Sequence, residues 1–309
     1  MQNTTLRTTP AAPTADGVRS ETVVEMKDLR VDYGDFTAVD GVDLEIRRGE
    51  FLGLLGTNGA GKTTTIEVME GHRTPTAGSV RVFGQDPSDR SLRSRVGIML
   101  QESGFAPDLT ARETLALVGR LTRREDDVDR VLDLVDLHRR RDTRAGQLSG
   151  GEKRRLDFAT AVFGSPELIF LDEPTTGLDI EARDDLWNVV ARLRDEGATV
   201  LLTTHYLEEA QARADRIALM HRGRIHQEGT VSELTSSFPS TISFRLSGDR
   251  TIPFEEVTRG PEGAVTISTT DLQEDLYRLL VWSRSHDVEL EDLDVGSEGL
   301  DSLFRTLRA

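Results

Sequence analysis

The chain has 309 residues, of which 37% are hydrophobic, and it carries a formal net charge of −16. This acidity argues against a nucleic-acid partner, because nucleic-acid binding requires a basic face. The sequence contains no cysteine, which excludes disulfides, thiolate metal sites and cysteine nucleophiles. Its apolar stretches are shorter than the ~20 residues that a membrane-spanning helix needs.

Composition and periodicity divide the chain into three predicted segments. Residues 1–20 contain Thr, Pro and Ala but lack the apolar block of a secretory signal, so we expect a disordered lead-in. Over residues 21–235, strand-like and helix-like patterns alternate, which predicts an open α/β sheet. Residues 236–309 are expected to form a small α+β accessory domain.

Five apolar runs predict the buried strands of the sheet: FLGLLG, VGIMLQ, ELIFLD, TVLLTTH and RIALM. The helical pattern EARDDLWNVVARLRDEG ends at Gly197, a predicted C-cap. Residues 102–163 have helical spacing and abundant charge, and they predict a helical subdomain inserted between two strands. The alternative, ordinary crossover helices, would require an unusually long connection.

The segment GTNGAGKTTT, residues 56–65, follows the first buried run and leads into a predicted helix. It matches the P-loop pattern, in which backbone N–H groups and a helix N-terminus hold phosphate. We expect Lys62 to reach the β and γ phosphates and Thr63 to ligate Mg²⁺. The alternative is a chance glycine-rich turn, but four fixed positions would match by accident only ~0.01 times in such a chain. The predicted ATP-binding residues here are Gly56, Thr57, Asn58, Gly59, Ala60, Gly61, Lys62, Thr63 and Thr64.

Polar side chains follow three of the other predicted strands. Asp172 and Glu173 come at the end of LIFLDE, where the carboxyl ends of parallel strands meet ligands. Asp172 is suited to holding Mg²⁺, and Glu173 to orienting or deprotonating an attacking water. His205 and Gln101 end two further strands, and His205 is placed to hydrogen-bond the γ-phosphate. Without the P-loop, Asp172 and Glu173 would be interpreted as a solvated loop and His205 as structural, and Gln101 would indicate nothing.

Over about residues 22–235 these motifs resemble those of the nucleotide-binding subunit of an ABC transporter, in the family's order. The resemblance implies that Gln101 is the glutamine-loop residue and a magnesium ligand, and that His205 is the switch histidine. It also implies that Asp179, in TTGLD, lies in the D-loop of a dimer, and that Tyr33 stacks on adenine.

The same resemblance implies a P-loop NTPase core and ATP hydrolysis. ATP and Mg²⁺ are the expected cofactors. The implied catalytic residues are Lys62, Glu173 and His205.

The segment LSGGE, residues 148–152, matches the family's signature. Ser149, Gly150, Gly151 and Glu152 predict a capping box, in which the serine accepts from the N–H of residue 152 and Glu152 reaches back. The resemblance implies that this helix start also binds the γ-phosphate of ATP held by the opposite subunit. The family usually has glutamine where this chain has Glu152, and we expect the cap to hold the carboxylate away from phosphate.

In the last segment, TISFRL, RTIPFEEV, AVTIST and VELEDLDV predict strands, and DLQEDLYRLLVWSRS and GLDSLFRTLRA predict helices. Its ending resembles the tail of the daunorubicin-resistance type of ABC ATPase, whose members work with a separate permease. The alternative is a generic addition that stabilises the dimer.

The resemblance implies a head-to-tail dimer, with itself or with a related ATPase, that closes on two ATP molecules. It implies an integral membrane permease as partner, a location on the cytoplasmic face of the cell membrane, and export of a drug-like or natural-product substrate. Two alternatives are a regulatory ATPase that acts on a membrane complex without transport, and an importer subunit.

Overall fold

The computed structural model describes residues 21–101, 104–235, 240–246, 250–254 and 257–297. The predicted lead-in and the predicted last helix, GLDSLFRTLRA, lie outside the described residues. The chain divides into two compact units, and the second begins at Gln227, ahead of the predicted domain limit at residue 235. Within the described ranges, no helix is long and apolar enough to cross a bilayer.

The first unit contains most of the regular structure. Its strands are β1 (Thr22–Tyr33), β2 (Phe36–Arg47), β3 (Phe51–Gly56), β4 (Ala77–Val82), β5 (Val96–Met99), β6 (Leu168–Asp172), β7 (Thr199–Thr203) and β8 (Arg216–His221), with β9 (Arg224–Gly229) running past its end. Its helices are α1 (Lys62–Met69), α2 (Ala111–Thr122), α3 (Val128–Leu134), α4 (Gly150–Val162), α5 (Ile180–Asp195) and α6 (Leu207–Arg213).

The central sheet has six strands in the order β5-β6-β7-β3-β8-β9, and the pairs from β5 to β8 are parallel. Every residue of β3, β6 and β7 is buried, as the continuous apolar runs predict. Alternate side chains enter two cores: Phe170 packs on one face of β6, and Ile169 and Leu171 pack on the other. The α/β prediction is therefore confirmed for this sheet.

A second sheet, of order β2-β1-β4, is antiparallel and was not anticipated by the prediction of one open sheet. Strands β1 and β2 are joined by a two-residue turn, and Tyr33 pairs with Phe36 across it. Gly34 in the turn has φ of 61°, the left-handed conformation that such hairpins need. Apolar side chains of this sheet share a core with α1 and with one face of the central sheet.

Between β5 and β6 the chain forms α2, α3 and α4, as the helical spacing of residues 102–163 predicts. Helix α4 packs against β5, which places the start of α4 near the carboxyl end of the sheet. At the end of α5, Glu196 is the capping residue and Gly197 follows with φ of 99°. Glycine favours that conformation, so the predicted termination at Gly197 is confirmed.

The second unit contains α7 (Val231–Thr235), β10 (Ser240–Arg245), β11 (Val257–Arg259), β12 (Ala264–Thr269), α8 (Leu272–Ser285) and β13 (Glu291–Ser297). Its sheet is antiparallel, in the order β11-β12-β10-β13, with a core that includes Phe244, Ile267 and Leu279. The predicted strand RTIPFEEV is wrong, because residues 250–254 form no strand. Pro253 has no N–H to donate to a neighbouring strand, and among the described residues the next paired one is Val257.

Candidate active site

The predicted P-loop connects β3 to α1 and packs closely against neighbouring backbone. A Cβ added at Gly56 would lie 2.2 Å from the carbonyl oxygen of Met220. A Cβ added at Gly61, whose φ is 103°, would lie 2.5 Å from the carbonyl oxygen of Ala38. Both glycines of the pattern therefore occupy positions where a side chain would clash with backbone.

The side chain of Lys62 folds back over this loop. Its Nζ donates to the carbonyl oxygens of Gly56 at 2.9 Å and Thr57 at 3.2 Å. Burial lowers the pKa of Lys62, while the nearby carboxylates of Glu173 and Asp172 act in the opposite direction. This arrangement suits an ammonium group that binds phosphate and lies close to the carboxylates of Asp172 and Glu173, at the carboxyl end of the sheet.

The remaining loop residues differ in what they face. Asn58, Gly59 and Thr63 are exposed, so a ligand can reach them. Ala60 is buried, its N–H donates to Thr57 O at 3.1 Å, and its carbonyl accepts from Gly223 N at 2.9 Å. Ala60 therefore shapes the loop rather than presenting a side chain to a ligand.

Asp172 is the last residue of β6 and pairs with Thr203 of β7 in the sheet register. The Thr203 hydroxyl donates to Oδ1 of Asp172, and both side chains are buried. Burial raises the pKa of Asp172, although the Thr203 hydrogen bond and the charges of Lys62 and Arg154 oppose that shift. The hydroxyl fixes the orientation of a carboxylate that a cation would stabilise in its charged form.

Glu173 lies beside His205 just beyond the sheet. Its backbone has φ of 48°, and its N–H donates to Thr203 O at 2.9 Å. Oε2 of Glu173 is 3.4 Å from Nδ1 of His205 and accepts from Thr176 Oγ1 at 3.4 Å. A left-handed conformation at a residue other than glycine is costly and is typical of functional sites. The fold therefore brings these two predicted catalytic side chains together.

Arg154, in α4, was not singled out by the sequence analysis. Its side chain is only 8% exposed and forms an ion pair with Asp157 at 3.3 Å. Its guanidinium joins the end of β5 to the segment that follows β6, because it donates to carbonyls of both. The acceptors are the oxygens of Leu100 (2.6 Å), Gln101 (3.1 Å), Asp172 (2.8 Å), Glu173 (2.6 Å) and Pro174 (3.2 Å).

The predicted capping box at the start of α4 is confirmed. Glu152 N donates to Ser149 Oγ at 3.2 Å, and Ser149 N donates to Oε2 of Glu152 at 2.8 Å. Oε1 of Glu152 accepts from Nε of Arg140 at 2.8 Å. Across the part of the chain that the structure describes, no hydrogen bond or ion pair joins Ser149 or Glu152 to the P-loop.

The chain is similar to known proteins. Residues 39–176 match the family described as "ABC transporter", and residues 240–298 match "ABC transporter domain-containing protein-like, C-terminal domain". The chain is 37% identical over 303 residues to the daunorubicin/doxorubicin resistance ATP-binding protein DrrA of Streptomyces peucetius, covering 92% of each chain. The chain belongs to the ABC transporter ATP-binding family.

Two further comparisons support this membership of the ABC family. The chain is 39% identical over 224 residues to the Nod factor export ATP-binding protein I of Paraburkholderia xenovorans (strain LB400), which covers 70% of this chain and 74% of that one. A dimeric ATP-binding cassette solved in a post-hydrolysis state with ADP and Pi matches with a TM-score of 0.62 and 26% identity. That match covers 67% of this chain and 98% of the cassette. The chain is thus an ATP hydrolase, of the daunorubicin-resistance type of ABC ATPase.

In this ABC ATPase, Tyr33 lies next to the P-loop helix. Its hydroxyl is 3.3 Å from Thr64 Oγ1, and the guanidinium of Arg73 lies 4.4 Å from the ring centroid. The ring is 43% exposed, so an aromatic surface remains accessible beside the phosphate site. Arg73 is held by Glu67, whose Oε2 accepts from Nε at 2.8 Å.

Gln101 and Asp179 are placed by backbone and capping contacts. Strand β5 ends at Met99, so Gln101 lies two residues beyond it, exposed, with its carbonyl held by Arg154. Strand β7 likewise ends before His205. Asp179 caps α5, where its Oδ1 accepts from Ala182 N at 2.8 Å. Strands β5 and β7 are therefore both shorter than the apolar runs VGIMLQ and TVLLTTH predict.

The donor set suits Mg²⁺, the metal that the ABC family implies. No cluster of three His, Cys, Asp or Glu within the described segments could hold a metal. Thr63, Gln101 and Asp172 instead offer a hydroxyl, an amide and a carboxylate, all hard oxygen donors. Mg²⁺ prefers such ligands and shares its coordination sphere with water and substrate phosphates.

Replacing Glu152 by glutamine should leave the ATPase rate within about threefold of the parent. The backbone N–H of Ser149, chiefly, lowers the pKa of Glu152, and Arg140 balances its charge, so the carboxylate adds little repulsion toward phosphate. The steady-state rate of phosphate release measures the ATPase activity of the parent and of the variant. Glu113→Gln is the matched control, because Glu113 completes the same capping box with Thr110 on α2. A tenfold rise for Glu152→Gln, roughly 1.4 kcal/mol off the barrier, would contradict the expectation.

The residues that sequence reasoning missed are those that hold the site in place. The sequence did contain a signal for Arg154 and Asp157. These two oppositely charged residues lie three positions apart on the face of α4 that is otherwise apolar and buried. Thr203 left none, because a threonine in an apolar strand is ordinary. Arg73 gave no signal either, since a single arginine after a helix is common on surfaces.

Proposed function

We propose that two ATPase chains form a head-to-tail pair, in which each ATP lies between the P-loop of one chain and the signature of the other. The observation that carries this proposal is the division of the site. Lys62, Asp172, Glu173 and His205 gather at the carboxyl end of the sheet. The start of α4 is capped, and within the described residues no hydrogen bond or ion pair joins its Ser149 or Glu152 to the P-loop. A capped helix N-terminus with two glycines can receive an anion closely.

Each side chain then has a role in hydrolysis. Lys62 binds the β and γ phosphates, Glu173 accepts a proton from the attacking water, and His205 hydrogen-bonds the γ-phosphate while contacting Glu173. Thr63, Asp172 and Gln101 hold Mg²⁺, which neutralises phosphate charge when bound. Arg154 fixes the backbone of Glu173 and Gln101 from within α4, so that hydrolysis and the glutamine loop respond to one another.

The pair drives an integral membrane permease from the cytoplasmic face of the cell membrane. The contact surface that we propose includes Gln101 and Phe105, at the junction of the core and the helical subdomain. Export of a drug-like or natural-product substrate is supported by the names of relatives, which concern daunorubicin resistance and Nod factor export. Residues 236–309 act as an accessory domain, and residues 240–298 match a C-terminal domain family.

Affinity purification of the tagged chain from detergent-solubilised membranes of the native host tests the proposal, without ATP and with Mg²⁺-ATP. A stoichiometric multi-spanning protein is expected in the eluate. An eluate without one, from a chain that still hydrolyses ATP, would favour a regulatory ATPase. Substrate accumulation in cells that lack the chain then distinguishes an exporter subunit from a regulatory ATPase. A hydrolysis assay cannot distinguish them, because both proteins hydrolyse ATP.

A further inference from the structure

His205 lies in a short connection that neighbouring polar groups hold in place. Strand β7 ends at Thr203 and α6 begins at Leu207, so the connection has three residues. The side chain of His205 is 45% exposed, and its Nδ1 lies 3.4 Å from Glu173. A half-exposed side chain keeps one catalytic position only where the surrounding groups fix its backbone and its ring.

Glu209, in the first turn of α6, fixes this backbone. The residue is 5% exposed, and its Oε2 accepts from Thr204 Oγ1 at 3.0 Å. The hydroxyl oxygen of Thr204, itself buried, accepts from the backbone N–H of Tyr206 at 3.0 Å. The carboxylate of Glu209 therefore holds the residues on both sides of His205 through a single threonine hydroxyl.

Arg183, in α5, contacts the same connection from a second helix. Its Nε lies 3.8 Å from Oε1 of Glu209, and its guanidinium carbon lies 5.2 Å from the centroid of the Tyr206 ring. The centroids of the Tyr206 and His205 rings are in turn 4.0 Å apart. The carboxylate of Glu209 and the ring of Tyr206 thus connect His205 to α5, the helix that Asp179 caps.

The burial of Glu209 is not explained by the helix dipole. An acidic side chain in the first turn stabilises a helix, but the exposed Glu208, one position earlier, already provides that interaction. Oε1 of Glu209 and Nε of Arg183 are buried atoms that have no hydrogen-bond partner among the described residues. Burying a carboxylate with one oxygen unsatisfied costs free energy, so the position of Glu209 calls for a function.

We propose that Glu209 is a positioning residue, which holds the His205 imidazole in place for hydrolysis through the hydroxyl of Thr204. Arg183 supports the carboxylate from α5. The inference rests on the proposed function, since it assigns what fixes the side chain that hydrogen-bonds the γ-phosphate. Within the described residues no hydrogen bond or ion pair joins Glu209 to Glu173 or to the P-loop, so Glu209 acts through His205.

Glu209→Ala should lower the rate of phosphate release at saturating Mg²⁺-ATP by about 10²-fold, the scale for misplacing a catalytic group by 1 Å. The dissociation constant for ATP should change by less than about threefold, because the P-loop is unchanged. Glu209→Gln keeps an oxygen that can accept from Thr204, so its rate should stay within about tenfold of the parent. Glu208→Ala is the matched control, since it removes a carboxylate from the same turn, and it should stay within about threefold.

Circular dichroism shows whether each variant is folded. If Glu209→Ala does not fold, Thr204→Val tests the same link, because it removes the hydroxyl and nearly conserves the volume. The same loss of about 10²-fold in the rate is then expected. A parental rate for the folded variant, or an equal loss for Glu208→Ala and Glu209→Ala, would overturn the inference.

A double-mutant cycle with His205→Ala separates positioning from a general structural effect. His205→Ala alone should lower the rate by at least about 10²-fold, the scale for one donor to transition-state charge. Because Glu209 acts through His205, Glu209→Ala should then lower the rate by no more than about a further threefold. A further fall of about 10²-fold would contradict the inference and leave the proposed function standing. If His205→Ala keeps the parental rate, the role of His205 in the proposed function fails, and the inference fails with it.

Discussion

Glu173→Gln is expected to lower the rate of phosphate release by about 10²–10⁴-fold, because an amide cannot accept the proton of the attacking water. ATP binding should remain, since Lys62 and the P-loop backbone are unchanged. Glutamine has the size of glutamate, so it can occupy the same place beside His205, whose Nδ1 lies 3.4 Å from the carboxylate. Steady-state phosphate release and equilibrium binding of ATP measure the two effects separately.

The same variant should accumulate as an ATP-bound dimer in size-exclusion chromatography with Mg²⁺-ATP, because the closed pair no longer hydrolyses the nucleotide that holds it together. Glu196→Gln is the control for removing one carboxylate, since Glu196 is exposed at the end of α5. A variant that binds ATP but stays monomeric would be incompatible with a shared site. If Glu173→Gln keeps most of the parental rate of phosphate release, Glu173 is not the group that accepts the proton of the attacking water.

The parallel sheet could be predicted because its strands are buried on both faces. Runs such as FLGLLG and LIFLD have no polar alternation, and the structure buries every residue of β3 and β6. The antiparallel sheet was missed because β1 and β2 contain many charged residues at their exposed positions. The sequence signal for this sheet was the alternation of apolar and polar residues, together with a two-residue turn at Gly34. That signal is weaker than a continuous apolar run.

Strand ends were predicted less well than strand centres. The runs VGIMLQ and TVLLTTH were interpreted as strands up to Gln101 and His205, yet pairing stops at Met99 and Thr203. Hydropathy cannot locate these ends, because the residues that directly follow the last paired ones, Leu100 and Thr204, resemble the strand residues before them. RTIPFEEV failed for a different reason, since Pro253 should have excluded a paired strand.

The predicted site residues follow from motifs whose spacing is local, as in residues 56–65. The contacts that support them join distant parts of the chain, and spacing does not encode those contacts. Thr203 orients Asp172 only because β6 and β7 pair in one particular register. Arg154 reaches two segments more than fifty and about twenty residues away, which only the packing of α4 on the sheet brings within range.

Arg154→Met is expected to lower the free energy of unfolding by about 3–5 kcal/mol, the scale for breaking a buried charged network. Methionine fills much of the volume but donates no hydrogen bond. Five backbone carbonyls would lose a donor inside the protein, and Asp157 would lose its ion pair with Arg154. Thermal or urea unfolding, monitored by circular dichroism, measures the loss.

Arg155→Met is the matched control, because it removes the same group from the next position of α4. Arg155 makes one hydrogen bond, from Nη1 to Oδ2 of the exposed Asp136 at 2.9 Å, so its loss should cost less than about 1 kcal/mol. Equal losses for the two variants would contradict the role given to Arg154. Arg154→Lys should lie between, since one ammonium cannot satisfy carbonyls on two segments.

The effect of Arg154→Met on catalysis should exceed its effect on binding. Arg154 touches the carbonyls of Glu173 and Gln101 but no P-loop residue, so its loss displaces the general base and leaves the phosphate cradle intact. At a temperature where the variant is folded, we expect the rate of phosphate release to fall by about 10²-fold, the scale for misplacing a catalytic group by 1 Å. The dissociation constant for ATP should change by less than about threefold. A parallel loss of both would indicate general unfolding instead of a displaced Glu173.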